Sequence, residues 1–222
     1  MRIMNNINFR PWVGDKYFSE GFKGKRILVL GLGHYCPDEL STKGRCFPTC
    51  LKENMREECF TQTEDVVEHF RDDYNGEKYL QTYLCFERAI YGRALTQEER
   101  EEFWNGIIFY NYLQYSAGSG SRVPISTEYW DKSADPFKEV LETYMPDRII
   151  AWGIGELYAN LPDWGGKASI IEIDGTALDV WIYTIKDKEI PVMVVYHPST
   201  PVGKNWSRWH PFYKKFLNLP QL

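Results

Sequence analysis

Residues 26–31 read RILVLG, and this apolar run is the first of four that decide the fold. The other three are IIFYNYL at 107–113, RIIAWG at 148–153 and IPVMVVYH at 190–197. Each run is almost continuously apolar, without a polar residue at every second position. That pattern is typical of strands covered on both faces in a parallel sheet. The four runs therefore predict an α/β domain with a central, mainly parallel four-stranded sheet.

Helical periodicity separates these runs. Apolar residues recur at steps of three and four over residues 79–90, 130–144 and 206–217, which indicates three amphipathic helices. Strands that alternate with helices are joined by right-handed crossovers, with helices on both faces of the sheet. The pattern predicts a three-layer α/β/α arrangement.

Residues 168–185 follow a different pattern. Two apolar segments, 170–173 and 178–185, flank the turn signal Asp174-Gly175. This spacing is typical of a β-hairpin, which we expect to be a decoration at the sheet margin. Since the sequence has no internal repeat, low-complexity segment or linker, we predict one domain over residues 1–222.

The composition excludes several classes of protein. Of the 222 residues, 43% are hydrophobic and 26% are charged, which is ordinary for a globular chain and unlike a disordered or fibrous one. The net charge of -5 offers no general attraction to nucleic acid or to an anionic membrane. No stretch approaches the roughly 20 apolar residues of a membrane span. We therefore expect a cytoplasmic protein without a membrane partner.

The five cysteines do not form an evident pattern. Four of them, Cys36, Cys46, Cys50 and Cys59, fall within 24 residues without a CxxC pair. An odd count is not typical of a secreted disulfide framework, so reduced thiols are the simplest interpretation. A structural zinc, an iron-sulfur cluster and a disulfide stay open as alternatives. We expect no metal and no other cofactor.

Polar residues follow the predicted strands where each one ends. The first run leads into Gly31-Leu32-Gly33-His34-Tyr35, the second contains Asn111, and the last ends at His197-Pro198-Ser199. Ligands of open parallel sheets bind outside the carboxyl ends of the strands. Two histidines and an amide should therefore converge there, whereas we interpret Tyr110, Tyr112 and Trp152 as core residues.

The order of these strand ends resembles that of the uracil-DNA glycosylase superfamily. That family has a strand ending in a Gly-led motif, then an apolar strand carrying an Asn, then a strand ending in Gly, and finally a strand ending in His-Pro-Ser. The resemblance is fullest from residue 107 onward. Its matching positions are Asn111, Arg122-Val123-Pro124, Phe137, Leu141, Pro146-Asp147, Gly153 and His197-Pro198-Ser199-Thr200-Pro201.

The resemblance implies a role for each matching residue in binding a flipped base. Asn111 would read the base edge with its amide, which both donates and accepts. His197 would bond the base O2 and stabilise the negative charge on the leaving uracil. Gly31 would open the first motif and Tyr35 would wall the pocket.

Phosphate contacts are implied at two further places. Ser199 and the backbone after it would contact phosphates, assisted by Lys204 or Arg208. These cations belong to a C-terminal segment, 197–222, that contains no acidic residue. Arg122 lies beside a Gly-Ser-rich loop that could fold over a ligand.

The first motif departs from the family pattern. The family places an Asp, Glu or Asn within two or three residues of the leading Gly, where this chain has Leu32 and Gly33. Neither side chain accepts a proton. His34 is the nearest titratable group and would have a pKa near neutrality. The chain resembles a branch with Gly-Glu-Ser-His-Tyr at this place, with that Glu and Ser replaced.

The resemblance implies binding of a flipped base or nucleotide, as in DNA repair, with His197 and His34 as candidate catalytic residues. The partner would be single-stranded nucleic acid, a flipped base or a nucleotide-like small molecule. Whether the chain is also a hydrolase that cleaves the N-glycosidic bond stays open, because its first motif is incomplete. The alternative is a non-catalytic nucleobase- or DNA-binding module on the same fold.

Overall fold

The computed structural model describes residues 7–34, 57–116 and 125–219. All four predicted apolar runs form strands, namely β2 (Ile27–Gly31), β3 (Ile107–Asn111), β4 (Arg148–Trp152) and β7 (Lys188–Val195). These four strands are mutually parallel and adjacent, in the order β3-β2-β4-β7. The α/β class and the parallel centre of the sheet are therefore confirmed.

The prediction of a four-stranded sheet is wrong, because the described part of the chain forms seven strands. The other three are β1 (Trp12–Val13), β5 (Lys167–Ile173) and β6 (Thr176–Ile185). The full order is β1-β3-β2-β4-β7-β6-β5, with antiparallel pairing at both margins. The sheet is mixed, since β6 pairs antiparallel with β7 and the β5–β6 hairpin thereby extends the parallel strands.

Two tight turns explain why the hairpin continues the sheet. Asp174 and Gly175, between β5 and β6, both have positive φ, as do Lys186 and Asp187 between β6 and β7. Two successive positive φ values match the twist of a two-residue hairpin. The first turn carries the expected Asp-Gly signal. The second lacks glycine, so the sequence did not indicate that β6 and β7 are also hairpin neighbours.

Six α-helices occur among the described residues. They are α1 (Glu57–Asp73), α2 (Gln81–Tyr91), α3 (Gln97–Asn105), α4 (Thr127–Tyr144), α5 (Glu156–Asn160) and α6 (Trp206–Leu217). The three predicted helices correspond to α2, α4 and α6. Helix α3 begins with a capping box, in which Thr96 and Glu99 each bond the other's backbone N–H.

The sheet separates two hydrophobic cores. Alternate residues of β2 point to opposite faces, so Val29 packs with α1, α2, α3 and α6, whereas Leu28 and Leu30 pack with α4 and α5. Phe86 and Trp104 on the first face and Phe137 on the second are almost fully buried. Helices thus cover both faces and leave the carboxyl edge of the parallel strands as the place where loops meet.

None of the described helices is both long enough and apolar enough to cross a membrane. Every strand assigned between residues 7 and 219 belongs to the same sheet. One domain over residues 1–222 stays a prediction.

Candidate functional site

The loops after β2 and β3 run side by side at the carboxyl edge of the sheet. Gly31 and Asn111, the last residues of the two strands, are register partners. Beyond them, the Tyr112 N–H donates to the Gly31 carbonyl at 3.0 Å and the Leu113 N–H donates to the Leu32 carbonyl at 2.9 Å. This pairing brings His34, three residues past β2, to the end of β3.

His34, Asn111 and Thr63 form a hydrogen-bonded group that we call the His34 cluster. Asn111 Nδ2 lies 3.1 Å from His34 Nε2, and Thr63 Oγ1 lies 2.8 Å from the same nitrogen. An amide NH2 group can only donate, so His34 Nε2 accepts and the ring proton lies on Nδ1. All three side chains are buried. The structure therefore brings two of the predicted site residues into contact.

His34 does not have the near-neutral pKa that the sequence suggested. Burial lowers the pKa of His34 from 6.5 to about 3, because a charged imidazolium would be desolvated there. The ring is therefore neutral at neutral pH and a poor proton acceptor. Its hydrogen bond with Asn111 instead orients the amide, and its bond with Thr63 ties the ring to α1, which makes His34 a positioning residue in this arrangement.

Gly31 leaves room for Oδ1, the side-chain oxygen of Asn111. A Cβ atom at residue 31 would lie 2.4 Å from Asn111 Oδ1 and 3.0 Å from Phe109 Cζ. Only glycine therefore allows the amide to lie across the end of β2. Within the described chain no residue donates a hydrogen bond to Asn111 Oδ1. The amide thus keeps one acceptor, and one N–H beyond the bond to His34, for a ligand.

Three residues that the sequence analysis did not select also hold the cluster. The Gln114 side chain accepts from the Asn8 and Phe9 backbone N–H groups at 2.8 and 2.9 Å, and donates to the Asn111 carbonyl at 2.9 Å. The Phe9 ring packs against His34 with centroids 4.5 Å apart. Thr63 comes from α1. Thr63 is 29 positions from His34, and Gln114 is 106 positions from Asn8, so local spacing could not have indicated these two contacts.

His197, two residues past β7, is fixed in one tautomer. The Ser199 backbone N–H donates to His197 Nδ1 at 3.3 Å, and Ser199 Oγ lies 2.8 Å from the same atom. A backbone N–H can only donate, so the proton of the neutral ring lies on Nε2. Burial lowers the pKa of His197, which favours this neutral form. No described residue hydrogen-bonds Nε2, which is therefore an available donor.

The loop that carries His197 is closed by its own hydrogen bonds. The His197 carbonyl accepts from the Thr200 N–H at 2.9 Å and from Thr200 Oγ1 at 2.8 Å, and Gly203 N–H donates to Thr200 Oγ1. A Cβ at Gly203 would lie 2.1 Å from the His197 carbonyl oxygen. Ser199 is exposed at the tip. The loop then enters α6, which carries Arg208.

His197 and Asn111 lie at the same edge of the sheet but not side by side. Their strands are separated by β2 and β4, which corresponds to roughly 14 Å at about 4.8 Å per strand. Trp152, at the end of β4, stands between them and meets the His197 ring edge-on with centroids 6.1 Å apart. Tyr110, Tyr112 and Trp152 are buried core residues, as expected. A common pocket for Asn111 and His197 stays a prediction.

Some predicted residues lie outside the described part of the chain. They are Tyr35, Arg122, Cys36, Cys46 and Cys50. Of the remaining cysteines, Cys59 is half-buried and Cys85 is buried, and both are free thiols. Among the described residues no group of three or more His, Cys, Asp or Glu side chains could hold a metal ion.

Comparison of the sequence with models of known protein families gave no match, and comparison with curated proteins gave none either. We therefore argue function from the geometry of the carboxyl edge.

Proposed function

We propose that this chain binds a flipped base or a nucleotide at the carboxyl edge of its sheet, in the manner of the uracil-DNA glycosylase superfamily. The observation that carries the proposal is the Asn111 amide, which is fixed by His34 at 3.1 Å and keeps an acceptor and a donor free. Side-by-side donor and acceptor groups are what the hydrogen-bonding edge of a base requires. Asn111 is also only 7% exposed, so most of its side chain is shielded from competing water.

His197 supplies the second contact in this proposal. Its Nε2–H is a neutral donor at the same edge, suited to a carbonyl oxygen of the base. Positive charge for a phosphate comes from Lys204 and Arg208, which follow in the same acid-free segment. Because the protein has an overall charge of -5, it does not attract the phosphate backbone in general, and such contacts stay local. Binding should therefore depend on the base more than on the length of the oligonucleotide.

We infer that binding proceeds with little or no hydrolysis. Leu32 and Gly33 occupy the positions where the family carries its acid or amide, and His34 is kept neutral by burial. A missing acid/base group typically costs about 10² to 10⁴ in rate. N-glycosidic hydrolysis is the second candidate function, and it is favoured by the neutral His197 donor, which could stabilise charge on a departing base.

A base-release assay separates the two functions. Uracil-containing single- and double-stranded oligonucleotides are incubated with wild type, Leu32→Glu, His197→Ala and the matched control Leu32→Met, which has similar bulk and carries neither an acid nor an amide. We expect binding with weak or absent uracil release for wild type, preferentially on single strands that need no unpairing. Release should rise with Leu32→Glu but not with Leu32→Met.

Each part of the proposal can fail separately. Efficient uracil release by wild type would overturn the non-hydrolytic assignment, and His197→Ala should then abolish it if His197 acts on the leaving base. Absence of binding to any oligonucleotide or nucleotide at low salt would overturn base binding itself.

A further inference from the structure

A pocket lies beyond β7, away from the His34 cluster. It is formed by α5, the loop that follows it and β6, and has a cavity volume of about 160 Å³, which is enough for a small organic molecule. Its lining residues are Tyr158, Leu161, Pro162, Asp163, Trp181 and Tyr183. None of them belongs to the proposed base site.

Aromatic rings form the walls of this pocket. Tyr158 comes from α5, while Trp181 and Tyr183 are two apart on β6 and therefore share one face of the sheet. Tyr183 is held by a hydrogen bond from its hydroxyl to the Pro162 carbonyl at 3.0 Å and by the Trp164 ring at 4.9 Å between centroids. The walls are thus fixed before a ligand arrives, which lowers the cost of binding.

The backbone of Gly166 holds Trp181 from one side. A Cβ at residue 166 would lie 2.3 Å from the Ile182 carbonyl oxygen and 2.6 Å from Trp181 Nε1. Only glycine permits so close an approach, so the indole packs against the backbone just before β5. The ring face of Trp181 is therefore a rigid surface of the pocket.

The charge of the pocket is negative. The Asp163 carboxylate lines it, and Asp163 Oδ1 is fixed by the Gly165 N–H at 2.9 Å. A second carboxylate, Asp179, lies beside the Tyr158 hydroxyl. None of the described residues that line the pocket is basic. Aromatic faces attract cations through their quadrupole, and a neighbouring carboxylate adds to that attraction.

We propose that this pocket binds a small organic cation of the quaternary ammonium class, with Tyr158, Trp181 and Tyr183 as its aromatic walls and Asp163 as its counter-ion. An anionic ligand would be repelled by Asp163. A metal ion would need several oxygen or nitrogen ligands, of which Asp163 supplies only one carboxylate.

The test compares two probes of the same shape and different charge. Choline and 3,3-dimethylbutan-1-ol are titrated separately into the full chain, and binding is followed by calorimetry or by NMR. We expect choline to bind roughly ten times more tightly than the alcohol, because only choline gains the cation–π and carboxylate interactions. Raising the salt concentration should weaken choline binding and leave the alcohol unchanged.

Variants locate the binding. Asp163→Asn and Trp181→Leu should each weaken choline binding several-fold, whereas Asp174→Asn makes the same charge change in the β5–β6 turn and should have no effect. If Trp181→Leu does not fold, Tyr158→Leu replaces it, since Tyr158 lies on the short and largely exposed α5. Equal affinity for choline and the alcohol, or full choline binding by Asp163→Asn, would overturn the proposal.

Discussion

At the scale of single residues, Gly31 and Asn111 depend on each other. The Asn111 oxygen occupies the space that a side chain on residue 31 would need, with 2.4 Å between Oδ1 and a Cβ there. The Asn111 amide, which is the proposed ligand-binding group, thus keeps its position because residue 31 on the neighbouring strand has no side chain.

Gly31→Ala should displace the Asn111 amide and abolish base binding, with a loss of stability of about 1–3 kcal/mol from overpacking. Gly33→Ala is the matched control, because its Cβ would meet only the Leu113 side chain, at 3.1 Å. Chemical denaturation measures the stability. In the double variant with Asn111→Ala, part of the stability should return while binding stays lost. Additive stability effects would contradict this contact.

The depressed pKa of His34 predicts a pH-dependent stability. The folded value is about 3 against 6.5 for the free group, so the unfolded chain takes up the proton first as the pH falls. Stability is full above pH 6.5 and falls between pH 6.5 and pH 3. The slope from this one group is about 1.4 kcal/mol per pH unit.

We therefore compare the free energy of unfolding at pH 7 and pH 4.5, measured from denaturation curves. Its loss on acidification should be smaller for His34→Gln than for wild type, by roughly 2–3 kcal/mol. Identical pH dependence in the two proteins would show that His34 is not desolvated. If the variant does not fold, NMR titration of the wild-type ring answers the same question, with a midpoint far below 6.5 expected.

At the scale of elements, a buried ion pair joins α2 to α3 on the face opposite α4. Glu87 is fully buried and accepts from Arg100 Nη2 at 2.8 Å and from Arg100 Nε at 3.1 Å. The Arg100 guanidinium also lies over the Phe70 ring of α1, 4.7 Å from its centroid. Three helices are thus coupled through one charged pair.

Glu87→Gln should be strongly destabilising, by about 3–5 kcal/mol, because it leaves the Arg100 charge buried without a counter-ion. Glu128→Gln removes one partner of the exposed Glu128–Lys132 pair in α4 and should change stability little. Thermal or chemical unfolding of the two variants measures the difference. A similar small effect for both would mean that water or another acid reaches Arg100.

The elements also mark how far the sequence predicts this fold. Continuous apolar runs identify β2, β3, β4 and β7, since strands buried on both faces need no polar residues. Helix α1 was not predicted, because its buried stripe is sparse and consists mainly of Val67 and Phe70. The second hairpin turn was not predicted, because Lys186 and Asp187 adopt positive φ although neither is the glycine that usually marks such a turn.

The candidate site was predictable only in part. Parallel strands end at one edge, so the convergence of Asn111 and His34 follows from strand order alone. The neutrality of His34 does not, since burial is a property of the packed molecule. Thr63 reaches the cluster from a distant position, and Gln114 ties it to the distant N-terminal segment through Asn8; such contacts leave no trace in local spacing.

At the scale of the whole molecule, the two proposed binding regions lie on one sheet. The parallel half presents Asn111 and His197 at its carboxyl edge, and the antiparallel half carries the aromatic pocket around Trp181. The regions share no lining residue, so variants in one should leave ligand binding at the other intact.

If the carboxyl edge recognises a base, the protein should distinguish two oligonucleotides that differ only in the presence of that base. Both probes are single strands of abasic units, and at one position the first carries uracil whereas the second carries a further stable abasic analogue. Wild type, Asn111→Ala and Lys204→Gln are titrated into each strand, and binding is followed by fluorescence anisotropy. We predict that wild type binds the uracil strand several-fold more tightly and that Asn111→Ala abolishes this preference. Lys204→Gln should weaken both strands equally, because a phosphate contact does not depend on the base. Equal affinity of wild type for the two strands would show that the carboxyl edge does not recognise the base.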